Sequence, residues 1–318
     1  MPRVSLAPLV IVNPTAGGGR VLRSIRWLHE RLLPLPDARL EVTRRPGDGE
    51  ALAADAARLG HDRVVAIGGD GTVQEVVNGL LSAADALLPM GIVPLGSGND
   101  LARSLCLPTE LTAAWRVAVG DAARPIDVAH ARNGAGAGRW FASAGGIGFD
   151  AQVAAAMATR RGWQAGRAGY LLTTLTELRR FENRRIRLTI DGVISSHDLL
   201  FAAIANGAYY GGGMRIAPSA EPDDGRLDLC LVGDISRLTV LRQMPNLYRG
   251  THVDHPAVEL RTAGVVEADG DGDTRIHLDG EPFGRLPLQV SLHHRALAVA
   301  ASHDPGGRPR RPVVHGSR

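Results

Sequence analysis

The stretch Val64-Val65-Ala66-Ile67-Gly68-Gly69-Asp70-Gly71-Thr72 decides the fold class. Its first four residues form a short apolar run, the mark of a buried strand. Beyond it, Val73, Val76, Val77, Leu80 and Leu81 recur at helical spacing and make one apolar stripe. Three glycines thus stand where a strand turns into a helix. A glycine, lacking Cβ, lets the backbone approach a ligand closely and adopt positive φ. A helix start adds unpaired N–H groups and the positive end of the dipole. Together these make a phosphate site. Asp70 is the departure, because a carboxylate repels phosphates unless a cation or bound water lies between them. A magnesium-bound nucleotide is the economical reading. The structural alternative is a glycine turn in which Asp70 bonds its own backbone.

The same pattern recurs on either side. Leu9-Val10-Ile11-Val12 runs into Asn13-Pro14-Thr15-Ala16-Gly17-Gly18-Gly19-Arg20 and a helical pattern over about 21–33, which Pro34 and Pro36 end. Leu40 to Thr43 reads as a strand, and an alanine-rich helix follows from about Gly49 to Leu59. Met90 to Leu95 runs into Gly96-Ser97-Gly98-Asn99-Asp100 and a short helix, Leu101 to Leu105. Such alternation argues an α/β domain, a parallel sheet with helices on both faces. Ligands on such sheets bind at the carboxyl ends of the strands.

Around Pro125-Ile126-Asp127-Val128 the style changes to glycine-rich turns and short strands. Helical segments are expected near 150–158 and 168–181. Strand runs follow at Ile186–Ile190, Leu199–Ala205, Leu227–Val232, Val258–Arg261 and Arg275–Leu278, with a helix over Ile235–Leu247. This pattern predicts a second domain over 127–287, a mostly antiparallel β-sandwich. Residues 1–3 read as loose, and the Pro-, Gly- and Arg-rich tail over 303–318 as disordered.

Composition narrows the chemistry. The chain has 318 residues, 44% hydrophobic and 22% charged, ordinary for a soluble globular protein. All 36 basic side chains are arginine. That excludes a Schiff base, a Walker lysine and a protein-kinase lysine. Cationic help for a phosphate must then come from Arg, a metal or backbone N–H groups. The net charge of +3 permits an anionic membrane or nucleotide partner without demanding one, and nothing points to nucleic acid. Cys106 and Cys230 read as buried, reduced thiols. Leu6 to Val12 is too short to span a bilayer. The expectation is a soluble cytoplasmic protein, at most peripheral to a membrane; oligomeric state is not legible.

Laid out in this order, the motifs resemble the diacylglycerol kinase catalytic-domain family, and most of all its soluble bacterial lipid kinases. Sphingosine, ceramide and NAD kinases are relatives. The carrying residues are Asn13 to Gly17, Gly68 to Thr72 with Glu75, Asn78 and Gly79, and Pro94 to Asp100. Ile126-Asp127, Gly145 to Asp150, Asn206-Gly207, Gly211 to Met214, Ala217-Pro218, Asp224 to Asp228 and Asp279-Gly280-Glu281 complete the set. The resemblance implies ATP in a cleft between the two domains, with a strand from about 288–302 returning to a first domain of 1–126. It implies nucleotide contacts from Asn13, Pro14, Thr15, Ala16, Gly17, Thr43, Gly68, Gly69, Asp70, Gly71, Thr72, Glu75, Ser97 and Asn99. Ser97 replaces the usual Thr and keeps the hydroxyl. Asp70 and Asp100 would arrange the phosphates and the catalytic Mg2+, and Glu281 matches the general base. A structural Mg2+ would sit at Asp224 with the backbone carbonyls of Glu221 and Arg226.

The implied reaction is ATP- and Mg2+-dependent phosphorylation of a lipid hydroxyl, diacylglycerol to phosphatidic acid. A sphingoid lipid or NAD as acceptor, or a nucleotide-binding regulator without turnover, are the alternatives. Read without the motif, Glu281 is an ordinary turn carboxylate. Asp269 to Asp273 lacks the Gly and Glu of a calcium loop and reads as a solvated hairpin turn. His252, His255, His293 and His294 have no ligand spacing and read as surface or strand histidines. Arg160-Arg161, Arg179-Arg180, Arg184, Arg185 and Arg187 read as a solvated face or a contact for anionic lipid. Tyr209-Tyr210 packs or lines a lipid entrance.

Overall fold

The computed structural model describes residues 6–35, 37–83, 87–158 and 167–301, with backbone alone at 167, 168, 170 and 171. The loose start, Pro36, Arg160-Arg161 and the tail over 303–318 lie outside the described residues.

The first half alternates strand and helix as the sequence predicts. Its elements are β1 (Pro8–Val12), α1 (Ala16–Leu32), β2 (Arg39–Val42), α2 (Asp48–Asp55), β3 (Arg63–Gly68), α3 (Asp70–Ser82), β4 (Met90–Pro94), α4 (Asp100–Ser104) and α5 (Leu111–Ala118). The strands pair in parallel in the order β2-β1-β3-β4. Side chains alternate across a strand, so each strand supplies two cores. Leu9, Ile11, Val64, Ala66, Met90 and Ile92 pack with Ala53 of α2 and Val76, Val77 and Leu80 of α3. Val10, Val12, Val65, Ile67 and Val93 pack with Val21 and Leu28 of α1 and Trp115 of α5. The carboxyl ends of β1, β3 and β4 are thereby fixed side by side. Helix α1 starts at Ala16 rather than 21, but Gly17, Gly18 and Gly19 are left-handed, with φ of 59, 70 and 82°. Regular helix begins only beyond them.

The second half comprises β5 (Ala123–Asn133), β6 (Gly138–Phe141), β7 (Ala144–Gly148), α6 (Phe149–Ala158), α7 (Arg167–Leu178), β8 (Arg184–Ile190), β9 (Val193–Ala205), β10 (Leu227–Gly233), α8 (Arg237–Arg249), β11 (Val258–Ala263), β12 (Val265–Gly270), β13 (Arg275–Leu278), β14 (Glu281–Arg285) and β15 (Leu288–Ala300). The strands of this half pair antiparallel with one another around a core that includes Phe141, Ile147, Ile186, Leu188, Leu229 and Leu288. This is the β-sandwich domain. Strand β15 joins the halves: Leu288–Ser291 pair with β12, and Val299 pairs in parallel with Met90 of β4. Strand β5 runs antiparallel beside β15 across the division expected at 126/127.

Three expectations change. Cys106 is exposed, not buried. It sits at φ +55° just past α4, where its N–H donates to the Arg103 carbonyl and that of Leu107 to Ala102. A helix closed by this double bond needs a left-handed residue there, and the side chain turns outward. Strand β9 begins at Val193 rather than 199, because the Asp191-Gly192 turn pairs its polar half with β8. His252 is buried in the core, not on the surface or in a strand, with Nε2 against the Ile216 carbonyl. Among the described residues no helix is long and apolar enough to cross a membrane.

Candidate active site

Three loops leave the ends of β1, β3 and β4 and touch one another. In the first, Asn13 Oδ1 accepts from the N–H and hydroxyl of Thr15 at 3.0 and 2.8 Å. Pro14 and Ala16 complete that turn, and the Gly17 carbonyl accepts from Arg20 Nε at 2.9 Å. A Cβ on Gly17 would lie 2.2 Å from the Leu95 carbonyl oxygen, so only glycine lets the first loop reach the third. A Cβ on Gly96 would lie 2.4 Å from Gly69 Cα, backbone against backbone. Thr43 is buried at the end of β2, its N–H donating to the Val12 carbonyl. Thr72 is buried under Gly68, and its hydroxyl has no hydrogen-bond partner among the described residues. Ser97 is exposed beside them. Asn99, at φ +56°, closes its own loop by accepting from the Gly96 N–H.

The acidic residues tie these loops down. Asp70 Oδ2 accepts from the Asn99 N–H at 2.8 Å and Oδ1 from the Asp100 N–H at 2.6 Å, capping α4. Asp100 in turn accepts from the N–H groups of Gly212 and Gly213 at 2.9 and 2.7 Å, holding a loop of the sandwich domain. Burial raises the pKa of Asp70. Burial, and then the charge of Asp70, pushes Asp100 up to about 7, against the N–H groups and the Arg103 guanidinium. Glu75 is committed elsewhere: its two oxygens accept from the Gly47 and Gly49 N–H groups at the start of α2, both at 2.9 Å.

Glu281 comes from the other domain. Asp279 and Gly280, at φ 48 and 85°, form a two-residue hairpin turn between β13 and β14, and Glu281 is the first residue beyond it. Its carboxylate reaches across to the start of α3: Oε1 lies 3.7 Å from where a Cβ on Gly71 would be. The turn is pinned on three sides. Asp279 accepts from the N–H groups of Ala142, Ser143 and Ala144 at 3.1, 2.9 and 2.9 Å. Burial nonetheless pushes its pKa up to about 6. Gln74 of α3 donates to the Leu278 carbonyl at 2.9 Å. The Gly280 N–H points at His277 Nδ1 at 3.3 Å, so the ring proton sits on Nε2, which meets buried Asp150 at 3.2 Å.

Glu221, Asp224 and Arg226 share one turn. Its backbone closes on itself, with the Arg226 N–H donating to Asp224 Oδ1 at 3.0 Å and the Asp224 N–H to the Glu221 carbonyl at 3.4 Å. Buried Asp127 holds this turn to β15, accepting from Gly225 and Arg295 N–H groups and facing His294 Nδ1 at 2.8 Å. Asp127, Asp150 and Asp279 belong to the motif set, and their bracing roles come from these contacts alone. Asp127 stands inside a strand, Asp150 in the first turn of α6 and Asp279 in a two-residue turn. Gln74, Arg103 and His277 lie outside the motif set and carried no signal. Asp269, Asp271 and Asp273 pair with Arg187, Arg184 and Arg285, but the turn is not the hairpin expected: β12 pairs with β8 and β15 and β13 with β7 and β14, so it connects two strands that are not neighbours. Arg185 pairs with Asp198. Tyr210 is buried and stacks on His277.

The donors fit magnesium brought in on a nucleotide. Among the described residues no cluster of three or more His, Cys, Asp or Glu side chains is arranged to hold an ion alone. The oxygens of Asp70 and Asp100 each accept one N–H and keep a lone pair for a metal-bound water, and the Thr72 hydroxyl is free. Magnesium binds in this manner, through one or two carboxylates, phosphates and waters.

Residues 7–131 match the family described as diacylglycerol kinase catalytic domain, and residues 143–301 the family described as YegS C-terminal NAD kinase beta sandwich-like domain. A diacylglycerol kinase of Mycobacterium tuberculosis is 33% identical over 295 residues, covering 91% of this chain and 93% of that one. A YegS-like lipid kinase of Chromohalobacter salexigens is 33% identical over 263 residues, covering 82% and 83%. A Bacillus anthracis diacylglycerol kinase crystal structure superposes with a TM-score of 0.70 at 22% identity, covering 93% of this chain and 97% of that one. At that identity the likeness shows the fold.

Proposed function

This chain belongs to the diacylglycerol kinase catalytic-domain family, and on that premise we propose that it is an ATP- and magnesium-dependent lipid kinase in which Glu281 is the general base. It is a lipid kinase with a hydroxyl acceptor by family, and diacylglycerol is the acceptor we assign. The observation that carries the reading is the position of Glu281. A carboxylate of the sandwich domain stands over Gly71, at the N-terminus of α3, where three glycine loops meet.

In the proposed reaction the loops over 13–17, 68–72 and 96–100 cradle the triphosphate on backbone N–H groups and the hydroxyls of Thr15, Thr72 and Ser97. Magnesium, when bound, neutralises phosphate charge. A lipid hydroxyl is a weak nucleophile of very high pKa, so its proton must leave as the bond to phosphorus forms. Glu281 accepts that proton. The hydroxyl oxygen attacks the γ-phosphorus in line, the bond to the β–γ bridging oxygen breaks, and ADP and a phosphomonoester result. Asp70 and Asp100 set the loops, and Glu75 positions α2 against α3. A structural magnesium at the 221–226 turn would take Asp224 and the carbonyls of Glu221 and Arg226, an all-oxygen set suited to a hard ion.

The test is transfer of label from γ-labelled ATP to a lipid panel in mixed micelles. Wild type is expected to label diacylglycerol in a magnesium-dependent way. Glu281→Gln should lose about 100- to 10,000-fold in kcat with nucleotide binding unchanged. Labelling of NAD or a sphingoid base alone would move the acceptor, and full activity of the variant would remove Glu281 as base.

A further inference from the structure

We propose that helix α8 is the surface by which this protein docks on a bilayer rich in anionic lipid. The inference rests on the lipid-kinase reading, since it names where that site meets its substrate's membrane.

Helix α8, Arg237–Arg249, has two apolar faces. Val240 is buried and Leu247 packs into the sandwich domain. That satisfies the helix as part of the fold. Its opposite side carries Leu238, Leu241 and Tyr248, exposed by 55, 37 and 39%, with exposed Pro245 between them. At 3.6 residues per turn these four positions fall within an arc of about 80°. Arg242 and Arg249 border the stripe on one side and Arg237 on the other. No carboxylate occurs anywhere in the helix. Among the described residues none of these three arginines is in an ion pair, whereas Arg184, Arg185, Arg187, Arg226 and Arg261 all are. An apolar stripe edged by unpaired arginines is the pattern of a helix lying in the membrane interface. It complements anionic head groups above a hydrocarbon boundary. Of the basic clusters that the sequence pointed to, Arg184, Arg185 and Arg187 pair with Asp271, Asp198 and Asp269; Arg179 and Arg180 are exposed and in no ion pair among the described residues, but no stripe of exposed apolar residues like that of α8 runs between them.

The helix is also joined to the site. The Leu247 carbonyl accepts from the Arg215 N–H at 2.9 Å. Met214 and Tyr210 then pair reciprocally, and the loop between them presents Gly212 and Gly213 to Asp100. One short loop therefore separates the last turn of α8 from the acidic pair at the glycine mouth.

Two sets of surface changes test this: Leu238→Gln with Leu241→Gln, and Arg237→Gln with Arg242→Gln and Arg249→Gln. The probes are sucrose-loaded vesicles of phosphatidylcholine, alone or mixed equally with phosphatidylglycerol, read by co-sedimentation. Wild type should sediment with the mixed vesicles and be released by salt. The arginine set should lower the partition about 100-fold, about fivefold per arginine. The leucine set should lower it at either salt, while Val193→Gln with Ile194→Gln, exposed apolar residues of β9, should leave it unchanged. Turnover of a short-chain, water-soluble diacylglycerol should be equal in all variants, which also shows that they fold. Equal partition of wild type and both α8 sets overturns the proposal. So does a wild-type mass of two chains that falls to one in the leucine set, which would give the face to a second copy. A protein that binds vesicles through α8 but phosphorylates no lipid would refute the kinase reading and leave the surface standing.

Discussion

Gly96→Ala isolates the close approach on which the nucleotide mouth depends. Gly96 does not have positive φ, so alanine meets no backbone strain there. The added Cβ would fall 2.4 Å from Gly69 Cα. Carbon atoms rest at about 3.5 Å or more, so the two loops must part by about 1 Å. They resist: the Leu95 and Gly96 N–H groups donate to the Gly68 carbonyl at 2.8 and 3.0 Å. A displacement of about 1 Å at a reacting centre costs about 100-fold, and overpacking of this kind costs about 1–3 kcal/mol of stability. Gly71→Ala is the control in the same motif. Its Cβ would meet only Glu281 Oε1, at 3.7 Å, an ordinary contact. The assay is kcat/KM for ATP with micellar diacylglycerol, beside urea unfolding. Gly96→Ala should fall about 100-fold and lose about 1–3 kcal/mol of stability, whereas Gly71→Ala should keep the wild-type urea midpoint, because its Cβ meets nothing closer than an ordinary contact. Equal losses in the two, or none in Gly96→Ala, would refute the reasoning.

Asp279→Asn keeps one carbonyl oxygen for two N–H groups and turns an amide NH2 toward the third. About 2 kcal/mol of stability should go, and kcat should fall with it while the KM for ATP holds, because Glu281 is two residues along; an unchanged kcat would detach the turn from catalysis. Asp100 gives a pH signature. Its unfolded pKa is about 4 and folding raises it to about 7, so the folded state holds the proton more tightly. The unfolding free energy should therefore fall as pH rises through that window, by no more than about 4 kcal/mol. Urea midpoints for Asp100→Asn should show a flatter slope between pH 5 and 8. Cys106 should react with maleimide in the native protein, while Cys230, buried with its thiol pushed up to about 12, should react only after unfolding; mass spectrometry distinguishes the two.

Much of this molecule was legible in one dimension. Strands β1, β3 and β4 are continuous apolar runs ending in glycine loops, and local periodicity with turn chemistry is all that such units require. The turn after Arg275–Leu278 was legible too, but Glu281 read as part of it, whereas it is the first residue of β14, a strand that Pro282 and Gly284 conceal. Where the reading failed, the cause lay at a distance. The first half of β9 is polar, Ser195-Ser196-His197-Asp198, and becomes strand only because β8 lies alongside. Strand β7 is Ala-Gly-Gly-Ile-Gly, weak by propensity. Its glycines are needed because a Cβ on Gly146 would collide with Asp150 and His277. Cys106 looked buried among leucines until the end of α4 turned it outward.

The spacing of apolar residues and the glycines that follow each run determined by themselves that three glycine-lined loops meet at the carboxyl ends of a parallel sheet, because those features are local. Tertiary structure alone decided which acids face the mouth and which brace it. Glu75 bonds the start of α2, and Asp70 and Asp100 spend lone pairs on loop N–H groups. Glu281 reaches Gly71 only because its hairpin is tied to three other segments, through Asp279 to the 142–144 backbone, through the Leu278 carbonyl to Gln74 of α3 and through His277 to Asp150 of α6. Hydrogen bonds between residues 26 to 204 positions apart leave no periodic trace in a sequence, since nothing about either partner's neighbours records where the other will lie.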